Sequence, residues 1–256
     1  MAIDVTWLGH STVVLDIDGV RIVADPLLHR HAGVLRRRGR RPQREAWAGA
    51  DAVLLSHLHH DHAEVRSLRL LGDVPVLTAP ENAEWVDRKR LDGRGLAPEE
   101  WLAVGPADRG VSVRLVPAVH GARPMPHRPN AANGHLVRGS SGTVWVAGDT
   151  ELYPDLSLLA TWAEAPIDVA LVPIAGWGPR LSPGHLGPKE AATACRMVGA
   201  AWAIPVHWNT LYMPTTEMWP GGWMTKPGSM FVEALGREAP ACHPLVLDLG
   251  ETAHLP

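Results

Sequence analysis

A chain of 256 residues, 46% hydrophobic and 20% charged, can bury a full core and sits at the upper end of single-domain size, so one domain over 1–256 is expected. Its formal net charge of -3 supplies no global basic field, and nucleic acid is not expected as a partner. Cys195 and Cys242 lie in no metal or redox spacing, which argues against a disulfide framework and a cysteine-built zinc site. The chain opens on Ile3-Asp4-Val5-Thr6-Trp7-Leu8, an alternation that reads as a strand and has neither the charged start nor the apolar run of an export leader. No stretch reaches about 18 apolar residues, so no transmembrane segment is expected. A cytoplasmic setting is the default that follows.

Segments 13–16 and 21–24 flank Asp18-Gly19 as a predicted hairpin. Further strands are predicted at 52–55, 111–117, 143–147, 168–173, 201–205 and 244–249. Helices are predicted at 81–91, 155–163 and 188–198, the last opened by Gly187 and Pro188. Strands alternating with helices, after an antiparallel start, predict a mixed-sheet, layered α/β architecture. The compositional anomaly is 29–44, a predicted loop holding Arg36, Arg37, Arg38, Arg40, Arg41 and Arg44 among Gly and Pro. It reads either as a solvated loop or, because it follows the strand end at Asp25-Pro26, as a clamp for an anionic substrate group.

Ser56-His57-Leu58-His59-His60-Asp61-His62 follows the strand at 52–55 directly and sets His57, His59, Asp61 and His62 within six residues. Neutral imidazole and carboxylate suit a borderline divalent ion such as zinc, and two clusters of them can hold a pair. Further donors stand singly at strand ends: His120 after 114–119, Asp149 after 144–148 and His207 after 203–206. Polar groups that each terminate an apolar run in an α/β protein point into a shared rim.

Taken in order, these residues resemble the metallo-β-lactamase fold superfamily of metal-dependent hydrolases over nearly the whole chain. The resemblance implies a four-layer αββα sandwich with the site at one edge between the sheets. It implies that His57, His59 and His120 hold one metal ion, that Asp61, His62 and His207 hold another, and that Asp149 bridges the two. Asp25 is implied as a strand-end acid that supports ligands. Zinc is the first choice of divalent ion for so histidine-rich a set, and manganese or iron suits the same pocket. Trp7-Leu8-Gly9-His10-Ser11-Thr12, Asp25-Pro26, Val172-Pro173-Ile174, His185 ahead of Pro188-Lys189-Glu190-Ala191, and Pro205-Val206-His207-Trp208-Asn209-Thr210 are similar to the branch containing N-acyl-phosphatidylethanolamine phospholipase D, with L-ascorbate-6-phosphate lactonase in a related branch. That similarity implies His185 as a proton donor or phosphate contact facing the substrate. Its residues alone also allow a turn position ahead of a helix, as His10 allows simple packing under the first hairpin. Segment 121–130 keeps an Arg but lacks the Trp-containing strand of the phospholipase relatives, and Glu151 replaces a usual Gly, which argues against phospholipid specificity.

Two adjacent cations lower the pKa of a bridging water toward about 7 and polarise the electrophile. The expected activity is therefore dinuclear metal-dependent hydrolysis by a metal-bridging hydroxide, with Asp149 or His185 carrying a proton to the leaving group. A phosphodiester of a small-molecule or lipid-like anionic substrate is the leading expectation, and a lactone or carboxylic ester the alternative. A di-iron oxidoreductase stands behind both, since His59 occupies a position where such proteins favour Glu. The sequence leaves a homo-oligomer open.

Overall fold

A computed structural model describes residues 3–121, 128, 131–216, 219 and 222–256. In chain order its first part gives β1 (Ile3–Gly9), β2 (Thr12–Ile17), β3 (Val20–Ala24), β4 (His31–Ala32), β5 (Leu35–Arg37), β6 (Ala52–Leu54), α1 (Val65–Leu70), β7 (Pro75–Thr78), α2 (Pro80–Arg88) and β8 (Asp92–Gly95). Its second part gives β9 (Leu102–Ala103), β10 (Ser112–Pro117), β11 (Asn133–Gly139), β12 (Gly142–Val146), α3 (Leu159–Ala163), β13 (Val169–Pro173), α4 (Pro188–Val198), β14 (Trp202–Val206), β15 (Leu211–Tyr212), α5 (Lys226–Glu238), β16 (His243–Pro244) and β17 (Thr252–Leu255).

These strands form two seven-stranded sheets, β17-β1-β2-β3-β6-β7-β8 and β16-β14-β13-β12-β11-β10-β9, and a three-stranded sheet β15-β5-β4. Antiparallel pairing gives way to parallel pairing at β3–β6 in the first large sheet and at β12–β13 in the second. The hairpin turn carries φ of 51° at Asp18 and 78° at Gly19, the pair of left-handed positions that a type I′ turn requires. Period-2 alternation then sorts residues between layers. Leu54 and Leu77 join the core between the sheets, while Val53 and Val76 face Leu68 of α1 and Trp85 and Val86 of α2. In the second sheet every residue of β13 is buried, because α4 and α5 cover its other face through Ala191, Ala194, Cys195, Phe231 and Leu235. The order helix, sheet, sheet, helix is the four-layer αββα sandwich. Among the described residues no helix is long and apolar enough to cross a membrane.

Departures from the sequence reading have local causes. The strand predicted at 244–249 shrinks to His243–Pro244, and the terminal strand is β17, whose Ala253 and Leu255 face the core beside β1. The helix predicted over 155–163 begins as a 3-10 turn, Pro154–Leu158, before α3. Helix α5 was hidden by Lys226-Pro227-Gly228, a breaker signal that is harmless in a first turn, where the missing Pro N–H is unneeded. Gly228 is itself required there, since a side chain would collide with the Trp208 indole. Cys195 and Cys242, distant in sequence, meet as buried free thiols within hydrogen-bonding reach.

The predicted loop at 29–44 contains β4 and β5, and its second strand pairs with β15 just beyond His207. Its arginines are not equivalent. Arg37 is buried and donates from Nη1 to Leu8 O at 2.7 Å, from Nη2 to Leu27 O, and from Nε to His29 O at 3.4 Å. Burial among carbonyls pushes its pKa down to about 10. Arg37 is thus a strut between chain segments, which corrects its place in the proposed substrate clamp, and Arg38 donates to Asn209 Oδ1 at 2.6 Å. Arg37→Leu leaves those carbonyls buried and unpaired, so its unfolding free energy should fall by about 2–4 kcal/mol in urea titration. Arg36→Gln, at an exposed position, should stay within about 0.5 kcal/mol of the parent.

Candidate metal centre

The polar groups singled out above follow the C-terminal ends of strands: His10 after β1, Asp25 after β3, 56–62 after β6, His120 after β10, Asp149 after β12 and His207 after β14. One rim of the sandwich gathers them. Four rim residues hold left-handed backbone, with φ of 53° at His10, 39° at Asp25, 62° at His207 and 49° at Asn209. Such conformations cost about 1–3 kcal/mol each and persist where surrounding bonds over-determine them. Here Asp25 N donates to Leu54 O at 2.9 Å, while His207 N and Trp7 Nε1 both donate to His10 O, at 2.8 and 2.9 Å. Trp7 and Trp208 stack at 5.7 Å between ring centroids beneath that seam.

The side chains form two groups around one carboxylate. His57 Nε2 lies 2.9 Å from His59 Nδ1, which lies 3.1 Å from His120 Nε2. Opposite them, Asp61, His62 and His207 gather with His10, whose Nε2 donates to Asp61 Oδ2 at 3.0 Å. Between the groups, Asp149 Oδ2 stands 3.2 Å from His62 Nε2, 3.3 Å from His207 Nε2, 3.4 Å from His185 Nε2 and 3.8 Å from His57 Nε2. His185 therefore flanks the centre, and it is held from behind by Ser182 O and Pro183 O, at 3.1 and 3.3 Å from Nδ1.

Far-side hydrogen bonds aim the rings. Nδ1 of His120 donates to Gly184 O at 2.7 Å, that of His207 to Ala175 O at 2.8 Å and that of His62 to Asp25 Oδ2 at 2.7 Å. Ser56 Oγ donates to Asp25 Oδ2 at 2.6 Å and accepts from His57 Nδ1 at 3.0 Å. A proton fixed on Nδ1 leaves the Nε2 lone pair facing inward, the tautomer that a metal ligand needs. Among the described residues, His62 Nε2, His207 Nε2 and both Asp149 oxygens are nevertheless buried without an aligned hydrogen-bond partner. Buried acceptors that converge without donors are costly unless a shared cation satisfies them, and imidazole with carboxylate is the donor set such cations take. The residues fit bound metal.

Electrostatics follow from this crowding. Burial, with His62 nearby, pushes the His57 pKa well down, and burial with His207 takes His10 to about 3. Burial lowers His59 to about 4 despite Asp61. Burial alone would raise the Asp149 carboxyl, but His207 and His62 hold it well below the usual carboxylate range. At His62 the balance reverses: burial lowers the ring pKa, and Asp149, Asp25 and Asp61 outweigh it and raise it well above normal. His185 is raised the same way, burial being outweighed by the Asp149 carboxylate 3.4 Å from its Nε2. Most donors are thus already in the deprotonated state a cation requires.

Two supporting residues escaped the sequence reading. Arg128 donates to Leu58 O at 2.6 Å and to His60 Nδ1 at 3.1 Å while lying 4.7 Å from the centre of the Trp85 ring, which clamps the histidine loop to α2. No sequence signal marked it, and most of segment 121–130 lies outside the described residues. Glu151, visible only as a departure from the family pattern, accepts from Gly184 N at 3.1 Å and so steadies the carbonyl that holds His120.

A family model described as a beta-lactamase superfamily domain matches residues 20–208. The chain belongs to that superfamily. A UPF0173 metal-dependent hydrolase of Methanopyrus kandleri is 31% identical over 216 residues, 80% of this chain and 84% of the relative. An N-acyl-phosphatidylethanolamine-hydrolyzing phospholipase D of Caenorhabditis elegans is 27% identical over 233 residues, 83% of this chain and 65% of the relative. A solved metallo hydrolase of Ignicoccus hospitalis superposes with a TM-score of 0.74 at 20% identity, covering 100% of this chain and 99% of that one. This superfamily member is a metal-dependent hydrolase with a His/Asp cluster able to bind metal.

Gly184 tests how finely the cluster is held. At φ of 82° it has room for no side chain: a methyl group would sit 2.9 Å from His120 Nδ1 and 2.7 Å from Gly121 N. Gly184→Ala should weaken metal binding about 10- to 100-fold in chelator competition. Gly178→Ala, with nothing within 4 Å, should leave it unchanged.

Proposed function

We propose that the chain, working as one domain over 1–256, is a dinuclear metal-dependent phosphodiesterase. His57, His59 and His120 would hold one ion and Asp61, His62 and His207 the other, with the Asp149 carboxylate available to both. The observation that carries this reading is Asp149 itself, whose two buried oxygens lack hydrogen-bond partners among the described residues at the meeting point of both histidine groups. Zinc suits the histidine-rich donor set first, with manganese or iron next. Such a pair, when bound, supplies Lewis acidity and a water acidic enough to ionise near neutral pH.

The chain's own residues orient and move protons. Asp25 anchors His62 directly and His57 through Ser56, so both groups share one support. His10 fixes the Asp61 carboxylate by its bond to Oδ2. His185, its Nδ1 proton engaged by carbonyls, presents Nε2 to the centre from a side chain 12% exposed. In diester hydrolysis, water adds to phosphorus, the P–O bond to the leaving alcohol breaks, and His185 Nε2 gives that oxygen its proton. The proton that the attacking water gives up passes to solvent, and His185, 12% exposed, takes one back from solvent, which closes the cycle. Two features support phosphorus over carbon as electrophile. One is the phospholipase D relative aligned to 83% of the chain, and the other is the pair Arg30 and Arg66, which follow the rim residues Asp25 and His62 closely in the chain.

Elemental analysis tests the ligand assignment. The parent should carry close to two ions per chain, and Asp149→Ala should lose more than half; full occupancy in that variant removes Asp149 from its role. His185→Gln should keep both ions yet lose about 10²- to 10⁴-fold in kcat on bis(4-nitrophenyl) phosphate. Turnover of a lactone panel without any diester cleavage would replace the phosphodiesterase reading by the ester one.

A further inference from the structure

A cavity of about 650 Å³ is lined by His29, Arg30, His31, Arg41, Glu64 and Arg66. Its charge is one-sided. Arg21, Arg88, Arg94, Arg138 and Arg237 each pair with a carboxylate elsewhere in the protein, but among the described residues Arg30, Arg41 and Arg66 have no such partner. Glu64, the acid in the lining, is engaged otherwise: its oxygens accept from Arg66 N at 3.1 Å, Ser67 N at 2.7 Å and Ser67 Oγ at 2.7 Å, capping α1. Three guanidiniums and two imidazoles therefore line a basin whose one carboxylate, Glu64, is turned to the start of α1, and the guanidiniums outnumber it.

Chain reach ties this basin to the metal centre. Arg66 follows His62 by four residues and His29 follows Asp25 by four, and four residues span at most about 14 Å. Since His62 Nδ1 and Asp25 Oδ2 are 2.7 Å apart, both walls start from one point of the cluster. One wall is rigid as well: Arg37 N donates to Arg30 O at 2.8 Å, and His31 pairs with Arg36 in the β4–β5 hairpin.

A guanidinium reads a phosphate through two parallel hydrogen bonds and keeps its charge at any working pH, so three around one basin suit a dianionic group better than a carboxylate. The scissile diester belongs at the metal centre, which leaves the basin for a second group. We propose that it binds a phosphate at the far end of the substrate, so that the enzyme acts on diesters bearing an additional terminal phosphate. This rests on the phosphodiesterase reading.

The test uses metal-loaded full-length protein and a triple variant, Arg30→Gln, Arg41→Gln and Arg66→Gln, at exposed positions whose loss leaves the core intact. Titration calorimetry with inorganic phosphate should find one binding event in the parent that the variant weakens at least about tenfold. Unchanged binding overturns the site. Kinetics then compare bis(4-nitrophenyl) phosphate with a 4-nitrophenyl diester carrying a terminal phosphate. The preference for the second substrate, as a ratio of kcat/KM values, should fall at least about tenfold in the variant and fall further in the parent as salt rises. A phosphate site without that change in preference overturns the substrate assignment and makes the basin a site for free phosphate. If neither diester is cleaved while phosphate still binds the basin, the phosphodiesterase reading fails and the anion site stands.

Discussion

A carboxylate, 1% exposed, among converging imidazoles is the constraint on which the rest of this structure depends. Asp149 would be costly to bury alone, and so would His57, His62 and His207. Together they turn their lone pairs toward one volume, each ring with its far nitrogen occupied, which is an arrangement suited to a shared cation. The backbone has conformed to that requirement. Strands stop where donors are needed, and His10, Asp25 and His207 accept left-handed conformations that a relaxed loop would assign to glycine.

Support for this arrangement comes from bonds that cross between the sheets. Asn133 N donates to Ser56 O at 3.0 Å, Ala79 N donates to Asn133 Oδ1 at 3.1 Å, and buried His135 donates from Nε2 to Leu77 O at 3.2 Å. Burial drives the His135 pKa to about 4, so this ring stays neutral and serves as a fixed cross-brace. Apolar packing alone would let two sheets slide. Directional bonds set their register beneath the rim, where errors of an ångström matter to chemistry.

Much of the centre was legible because metal chemistry restricts residue types so narrowly. Four donors in the run His57 to His62, followed by single donors after apolar strands, left few alternatives, and strand periodicity recovered β2, β3, β10, β12 and β13 within a residue or so of their bounds. What stayed hidden depended on contacts between distant segments. Arg37 looks like its neighbours Arg36 and Arg38 in sequence, and only the carbonyls of Leu8, Leu27 and His29 make it a strut. His10 gave no local cue to its bond with Asp61, 51 residues away. Helix α5 was lost because Pro and Gly read as breakers wherever tertiary packing against Trp208 is unseen.

The Arg37 strut has a consequence for selectivity. It ties Leu8, beside His10, to Leu27 and His29, and its own strand is laced to β15 just past His207. The arginine-bearing hairpin is therefore stitched to the same backbone that carries the histidines, and it is no free-swinging lid. Its conformational entropy is lost when the chain folds, before any ligand arrives. A surface held that way is set in advance: its spacing from the histidines is fixed by the fold, not by whatever binds there.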